Sequence, residues 1–81
     1  MTNPTIKVYG TNWCGDCRQA RRYLDQNNIP YDFINIDGDK EAEQFVKTTN
    51  RGMRSVPTIV FADGSILVEP SNKQLAEKLG L

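Results

Sequence analysis

From Thr5 to Tyr9 apolar and polar side chains alternate, with Ile6 and Val8 on one side, and this period of two predicts a strand. Gly10, Thr11 and Asn12 break it. From Gly15 to about Gln26 the period changes: Ala20, Tyr23 and Leu24 recur at helical spacing while Arg18, Arg21, Arg22 and Asp25 lie elsewhere on the wheel, a solvated face. Asn27 and Asn28 suit a helix end before Ile29-Pro30. Tyr31 to Ile36, aromatic and β-branched, reads as a second strand. Asp37-Gly38-Asp39 is a turn, and either aspartate can cap a helix that carries Ala42, Phe45 and Val46 inward. It is not read as a calcium loop, because Thr48 stands where such a loop needs glutamate.

After a basic loop, Asn50 to Arg54, the run Val56 to Phe61 is almost unbroken in its apolar character, as in a strand buried on both faces. Asp63-Gly64 favours a tight hairpin leading to a partner strand, Ile66-Leu67-Val68. Ser71, with Gln74 three residues on, has the spacing of a capping box for a last helix bearing Leu75 and Leu79 and ending at Gly80. Strand, helix, strand, helix, strand, strand, helix is thus the predicted order. A strand-helix-strand crossover is right-handed with parallel strands, and the hairpin is antiparallel. The outcome is an α/β fold: a four-stranded mixed sheet flanked by three helices, in a single domain spanning 1–81.

Composition narrows the function. The 10 basic and 10 acidic residues cancel, so no net field gathers nucleic acid, and the apolar runs are too short to span a membrane. Met1 to Thr5 shows no basic region followed by an apolar stretch, so a cytoplasmic protein is expected, and no partner subunit is implied: a monomer is expected. Of the side chains that do chemistry, histidine is absent and the 2 cysteines, Cys14 and Cys17, stand in the run Trp13-Cys14-Gly15-Asp16-Cys17 directly after the first strand.

A Cys-x-x-Cys between a strand and a helix puts its first thiol by free backbone N–H groups and the positive end of the helix dipole, where a thiolate is favoured. The second thiol lies a turn further in, within reach to close a disulfide. Zinc needs about four ligands, and two cysteines with no histidine do not supply them, so no metal is expected within one chain. A structural staple across so short a loop gives only about 2 kcal/mol, and in a reducing compartment a lone pair of this kind is more often catalytic. Redox exchange is the favoured reading.

Trp13-Cys14-x-x-Cys17 after the first strand, Val56-Pro57-Thr58 opening the third and the Asp63-Gly64 hairpin together resemble the glutaredoxin branch of the thioredoxin fold, over almost the whole chain. Arg54 to Thr58, Phe61 to Ser65 and Pro70-Ser71 look most like the mycoredoxins, glutaredoxin-like proteins that work with mycothiol. Two departures matter. Glutaredoxins that use glutathione usually carry Gly-Gly and an acidic pair after the hairpin, and here Val68 to Asn72 stands instead; and the second residue between the cysteines is Asp16 where a tyrosine is usual. An acid beside Cys14 opposes its ionisation, though it equally supports the first helical turn.

The resemblance implies a thiol-disulfide oxidoreductase with Cys14 as nucleophile and Cys17 as resolving thiol, no tightly bound cofactor, and a low-molecular-weight thiol, mycothiol before glutathione, as co-substrate. Its partners would be protein mixed disulfides and, directly or indirectly, a flavoprotein reductase. The resemblance also implies a cis bond before Pro57, where X-Pro bonds are ordinarily trans, so that Val56 and Pro57 face the thiol and the Val56 backbone can pair with an extended substrate. Trp13 is either an apolar wall for substrate or loop packing; Arg54 and Arg51 bind substrate carboxylates or are solvated; Ser71 caps its helix or marks an anion site. The rival functions are a thioredoxin-like electron donor to one protein, such as a ribonucleotide reductase or a peroxiredoxin, and a dimeric iron-sulfur carrier through Cys14.

Overall fold

The computed structural model describes residues 5–81; Met1 to Pro4 lie outside the described residues. Strand β1 (Ile6–Gly10) is followed by helix α1 (Gly15–Gln26), β2 (Tyr31–Asn35), a 3-10 turn (Ile36–Gly38), α2 (Lys40–Thr49), β3 (Thr58–Val60), β4 (Ile66–Val68) and α3 (Asn72–Leu79). The sheet runs β2-β1-β3-β4, with β1 parallel to β2 and antiparallel to β3, and β3 antiparallel to β4. It is the mixed α/β sheet the sequence predicts.

The alternation in β1 decides which helix covers which face. Ile6 and Val8 point to one side, where Ala20 and Leu24 of α1 and Leu75 of α3 close over them with Ile59 and Phe61. Tyr9 points to the other side and stacks on Phe45, with rings 4.8 Å apart, beside Ala42 and Val46 of α2 and Ile36. Opposite faces of one strand thus recruit opposite layers of helix.

The elements differ in places from the predicted ones: β1 runs on through Gly10, its predicted breaker, and β3 stops at Val60. The third strand starts at Thr58 rather than Val56, because proline has no N–H to give the ladder and the Val56-Pro57 bond is cis. Ile36 leaves the second strand for the 3-10 turn, whose first N–H groups are met by the Asn35 side chain accepting from Asp37 N–H at 3.0 Å. The hairpin is wider than a two-residue turn: Phe61 N–H reaches Ser65 C=O, Gly64 N–H reaches Phe61 C=O, and Gly64 alone adopts positive φ, 86°. Of the two candidate caps for α2, Asp39 takes the role, accepting from Ala42 N–H at 3.0 Å, which leaves Asp37 free for other partners. Arg21 also departs from the solvated face predicted for it: its guanidinium carbon lies 3.9 Å from the centre of the Phe33 ring.

Candidate active site

Cys14 is the N-cap of α1, with extended backbone (φ −84°, ψ 120°), and its Sγ accepts the Cys17 N–H at 3.2 Å. The thiol therefore occupies the place a serine or aspartate takes in an ordinary cap, aimed at the N–H groups that a helix start leaves unpaired. It is half-buried and free, as Cys17 is free but fully buried. One thiol is reachable and the other is held beneath it.

Cys17 packs under the end of β1, and Gly10 is what makes room for it. A Cβ on Gly10 would stand 2.6 Å from the Cys17 Sγ and 3.3 Å from both the Cys17 Cβ and a Phe33 ring carbon. Gly10 is fixed in register opposite Asn35, so the strand end cannot drift away. Burial, and next the hydrogen bond with Cys14, push the Cys17 thiol up to about 12, against an opposing pull from a hydrogen bond with the Thr11 backbone. Asp16, exposed in the first turn of α1, adds only the smallest upward push.

The cis Val56-Pro57 segment forms the facing wall. Cys14 Sγ donates toward Val56 C=O at 3.8 Å, and Pro57 is buried. Thr58 anchors the segment: its hydroxyl donates to Ser55 C=O at 2.7 Å and accepts from Asn50 Nδ2 at 3.1 Å, while the same Asn50 amide donates to Val46 C=O at 2.8 Å. The end of α2 and the start of β3 are thereby locked together around the loop that carries Arg51 and Arg54.

Trp13 is 65% exposed, so it is not packed into the core. Its indole N–H donates to Asp37 Oδ2 at 2.8 Å, and the other oxygen of Asp37 accepts from Arg54 Nη2 at 2.6 Å. Arg54 Nε also donates to Glu43 Oε2 at 2.6 Å. The Arg54 guanidinium, and then the Trp13 indole, hold the Asp37 carboxyl below its ordinary range. Trp13 and Arg54 therefore meet through an aspartate, across 24 and 17 residues of sequence. Arg51, at φ 57°, is exposed and makes no ion pair among the described residues. Ser71 is the N-cap of α3 in a full capping box, with Gln74 N–H to Ser71 Oγ at 3.1 Å and Ser71 N–H to Gln74 Oε1 at 2.9 Å.

Cys14, Cys17, Trp13, Arg54, Val56 and Pro57 thus gather at one end of the sheet. Gly10, Asp37, Asn50 and Thr58 belong to the site without having been singled out as site residues in the sequence. Thr58 stands in the Val56-Pro57-Thr58 motif and Asp37 is one of two aspartates competing for a single cap; Gly10 and Asn50 give no site signal. Among the described residues there is no group of three or more His, Cys, Asp or Glu placed to hold a metal.

Comparison with known proteins agrees with this geometry. The family model described as Glutaredoxin matches residues 6–66. Mycoredoxin 1 of Corynebacterium glutamicum is 39% identical over 79 residues, 98% of this chain and 95% of that one. A protein of Mycobacterium tuberculosis described as a glutaredoxin is 40% identical, over 98% of this chain and 94% of its own. The glutaredoxin-like protein NrdH of Lactococcus lactis is 36% identical over 72% of this chain and 78% of its own. In fold, the glutaredoxin of Archaeoglobus fulgidus superposes with a TM-score of 0.75 at 21% identity, over 94% of this chain and 86% of that one. A reachable capping thiol above a buried one, on a sheet of this topology and with relatives of this likeness, places the chain in the glutaredoxin family.

Proposed function

We propose that this protein reduces mixed disulfides between proteins and a low-molecular-weight thiol, with mycothiol favoured over glutathione, through Cys14. The Cys14 thiolate attacks the small thiol's sulfur, and the protein leaves as its own thiolate and takes up a proton. A second molecule of the small thiol, as thiolate, then attacks the adduct at Cys14. This releases the small-molecule disulfide and restores Cys14, and a flavoprotein reductase returns that disulfide to thiol.

The observation that carries this reading is the inequality of the two thiols. Cys17 is buried and pushed up to about 12, so it stays protonated at neutral pH. Once Cys14 is tied up in a mixed disulfide its own upward push on Cys17 is gone, but burial, the larger cause, stays. Resolution by an outside thiol therefore competes well with resolution by Cys17. The likeness to mycoredoxin 1 and the Val68 to Asn72 stretch favour mycothiol.

Mass spectrometry after exposure to a mixed disulfide tests the assignment. Cys17→Ser should accumulate one small-thiol adduct, on Cys14, and Cys14→Ser none; an adduct on Cys17 in the Cys14→Ser protein would reverse the roles.

The relatives named NrdH favour a second reading, a dithiol electron donor to one protein such as a ribonucleotide reductase. Such a donor needs Cys17 in every turnover, because the Cys14-Cys17 disulfide is its oxidised product. Loss of all activity in Cys17→Ser would select it.

A further inference from the structure

A stripe of cations runs along α1 from the reactive thiol. Cys14 caps the helix, the Arg18 N–H closes the first turn on the Cys14 carbonyl at 3.1 Å, and Arg21 and Arg22 follow one turn on. Helical spacing puts the three arginines on one side, about a third of a turn from the buried Cys17, Ala20 and Leu24 and opposite Asp16. Helical side chains lean toward the N-terminus, so these lean back toward Cys14. Arg18 and Arg22 are exposed, Arg21 is held over the Phe33 ring at 3.9 Å, and none of the three forms an ion pair among the described residues. The one acid on that side, Asp25, accepts the Tyr31 hydroxyl at 3.3 Å.

Helix stability does not account for this arrangement. Cations favour the last turn of a helix and oppose the first, and like charges three or four residues apart repel. Here the arginines fill the first two turns, while the last turn has no basic residue and carries Asp25. In a chain whose 10 cations and 10 anions cancel, the distribution of charge is what a partner meets.

We infer that the Arg18-Arg21-Arg22 stripe docks the protein half of the mixed disulfide and selects substrates whose cysteine lies in an extended, acidic segment. A rise of about 1.5 Å per residue puts Arg18 about 6 Å and Arg22 about 12 Å along the axis from Cys14. That is the reach of carboxylates about two to four positions from the substrate cysteine, at about 3.3 Å per extended residue. Because the stripe starts at Cys14, a permanent occupant such as a second copy of the chain would cover the thiol, whereas the substrate protein arrives for the exchange and then leaves. A long rigid polyanion is opposed, since on the other face of β2 Asp39 and Glu41 stand beside Ile34 and repel whatever negative charge overruns the stripe.

Docking here rests on the proposed exchange at Cys14, and one set of peptides distinguishes the two. Single-cysteine peptides with glutamate, or with glutamine, at those positions on both sides are prepared as mixed disulfides with mycothiol. Release rates are divided by those with dithiothreitol to remove intrinsic reactivity. Wild type should favour the glutamate peptide about five-fold at low salt, through KM, the summed worth of a few exposed ion pairs. The preference should vanish near 1 M salt, where the screening length is about 3 Å. Arg18→Gln/Arg22→Gln, which leaves Arg21 on Phe33, should erase it. Lys7→Gln/Lys78→Gln should keep it: the same charge is lost at the other end of the sheet, where Lys7 is in register with Val60 and Lys78 bonds Asp63. No preference in wild type, or one that survives the arginine changes, overturns the docking while leaving exchange at Cys14 intact. A DNA duplex that suppresses release from the glutamine peptide in wild type and not in the arginine variant would give the stripe to nucleic acid and overturn it too. Failure to release mycothiol from either peptide overturns both docking and exchange.

Discussion

Replacing Gly10 by alanine tests how the buried thiol is seated. The added methyl would lie 2.6 Å from the Cys17 Sγ, about 1 Å inside ordinary carbon-sulfur contact, so something must move. The strand end is held in register opposite Asn35, and Cys17 has one side-chain bond to rotate, inside a helix where one of the three rotamers is disfavoured. Overpacking of this kind costs about 1–3 kcal/mol, which in a domain of this size lowers Tm by about 6–18 °C. Truncating Cys17 to alanine removes the offending sulfur and leaves only contacts of 3.3 Å, which need a shift of a few tenths of an ångström. Gly10→Ala should therefore cost far less in the Cys17→Ala background. Denaturant unfolding of the four proteins of that cycle, all reduced, should give a coupling energy of about 1–2 kcal/mol. Additive effects would refute the reasoning, since the cost would then belong to the strand backbone and not to the thiol.

Three further outcomes follow from the same geometry. Because burial raises the Cys17 thiol from 9.0 to about 12, the unfolded state releases its proton first as pH rises, so the reduced protein loses stability above pH 9. The loss reaches about 1.4 kcal/mol by pH 10, and thermal unfolding of wild type against Cys17→Ala should show it as a pH-dependent difference in Tm. Trp13 is the only tryptophan, and Asp37 is held below its ordinary range, so the tie between them persists as pH falls and lets go only below about 3.9. Fluorescence titration should show that late transition in wild type and not in Asp37→Asn; a midpoint at or above 3.9 would contradict the assigned ion pair. Ser71→Ala removes the hydroxyl that accepts the Gln74 N–H, leaves the Ser71 N–H bond to Gln74 in place, and should lower stability by about 1 kcal/mol in urea unfolding.

Much of this was legible in the sequence because it is written locally. The strand alternation at Ile6 and Val8, the Cys-x-x-Cys at a helix start and the Ser71-Gln74 spacing each lie within a few residues, and each fixes a piece of geometry. What the sequence hid is long-range. Gly10 reads as a strand breaker until the fold brings the Cys17 sulfur against it. Asp37 and Asp39 are equal candidates for one cap until space assigns Asp39 to α2 and Asp37 to Trp13 and Arg54. The run Val56 to Phe61 reads as one strand, but a cis proline with no N–H delays the ladder to Thr58, and the two residues lost from the strand become the wall of the site.

Exchange of Cys14 with a small thiol is measured most directly by the release of mycothiol from a preformed protein mixed disulfide. Wild type and Cys17→Ser should both release it, with glutathione on the same protein released more slowly. If neither small thiol is released while a protein disulfide is reduced only when Cys17 is present, the small-thiol function is wrong and the chain is a dedicated electron donor.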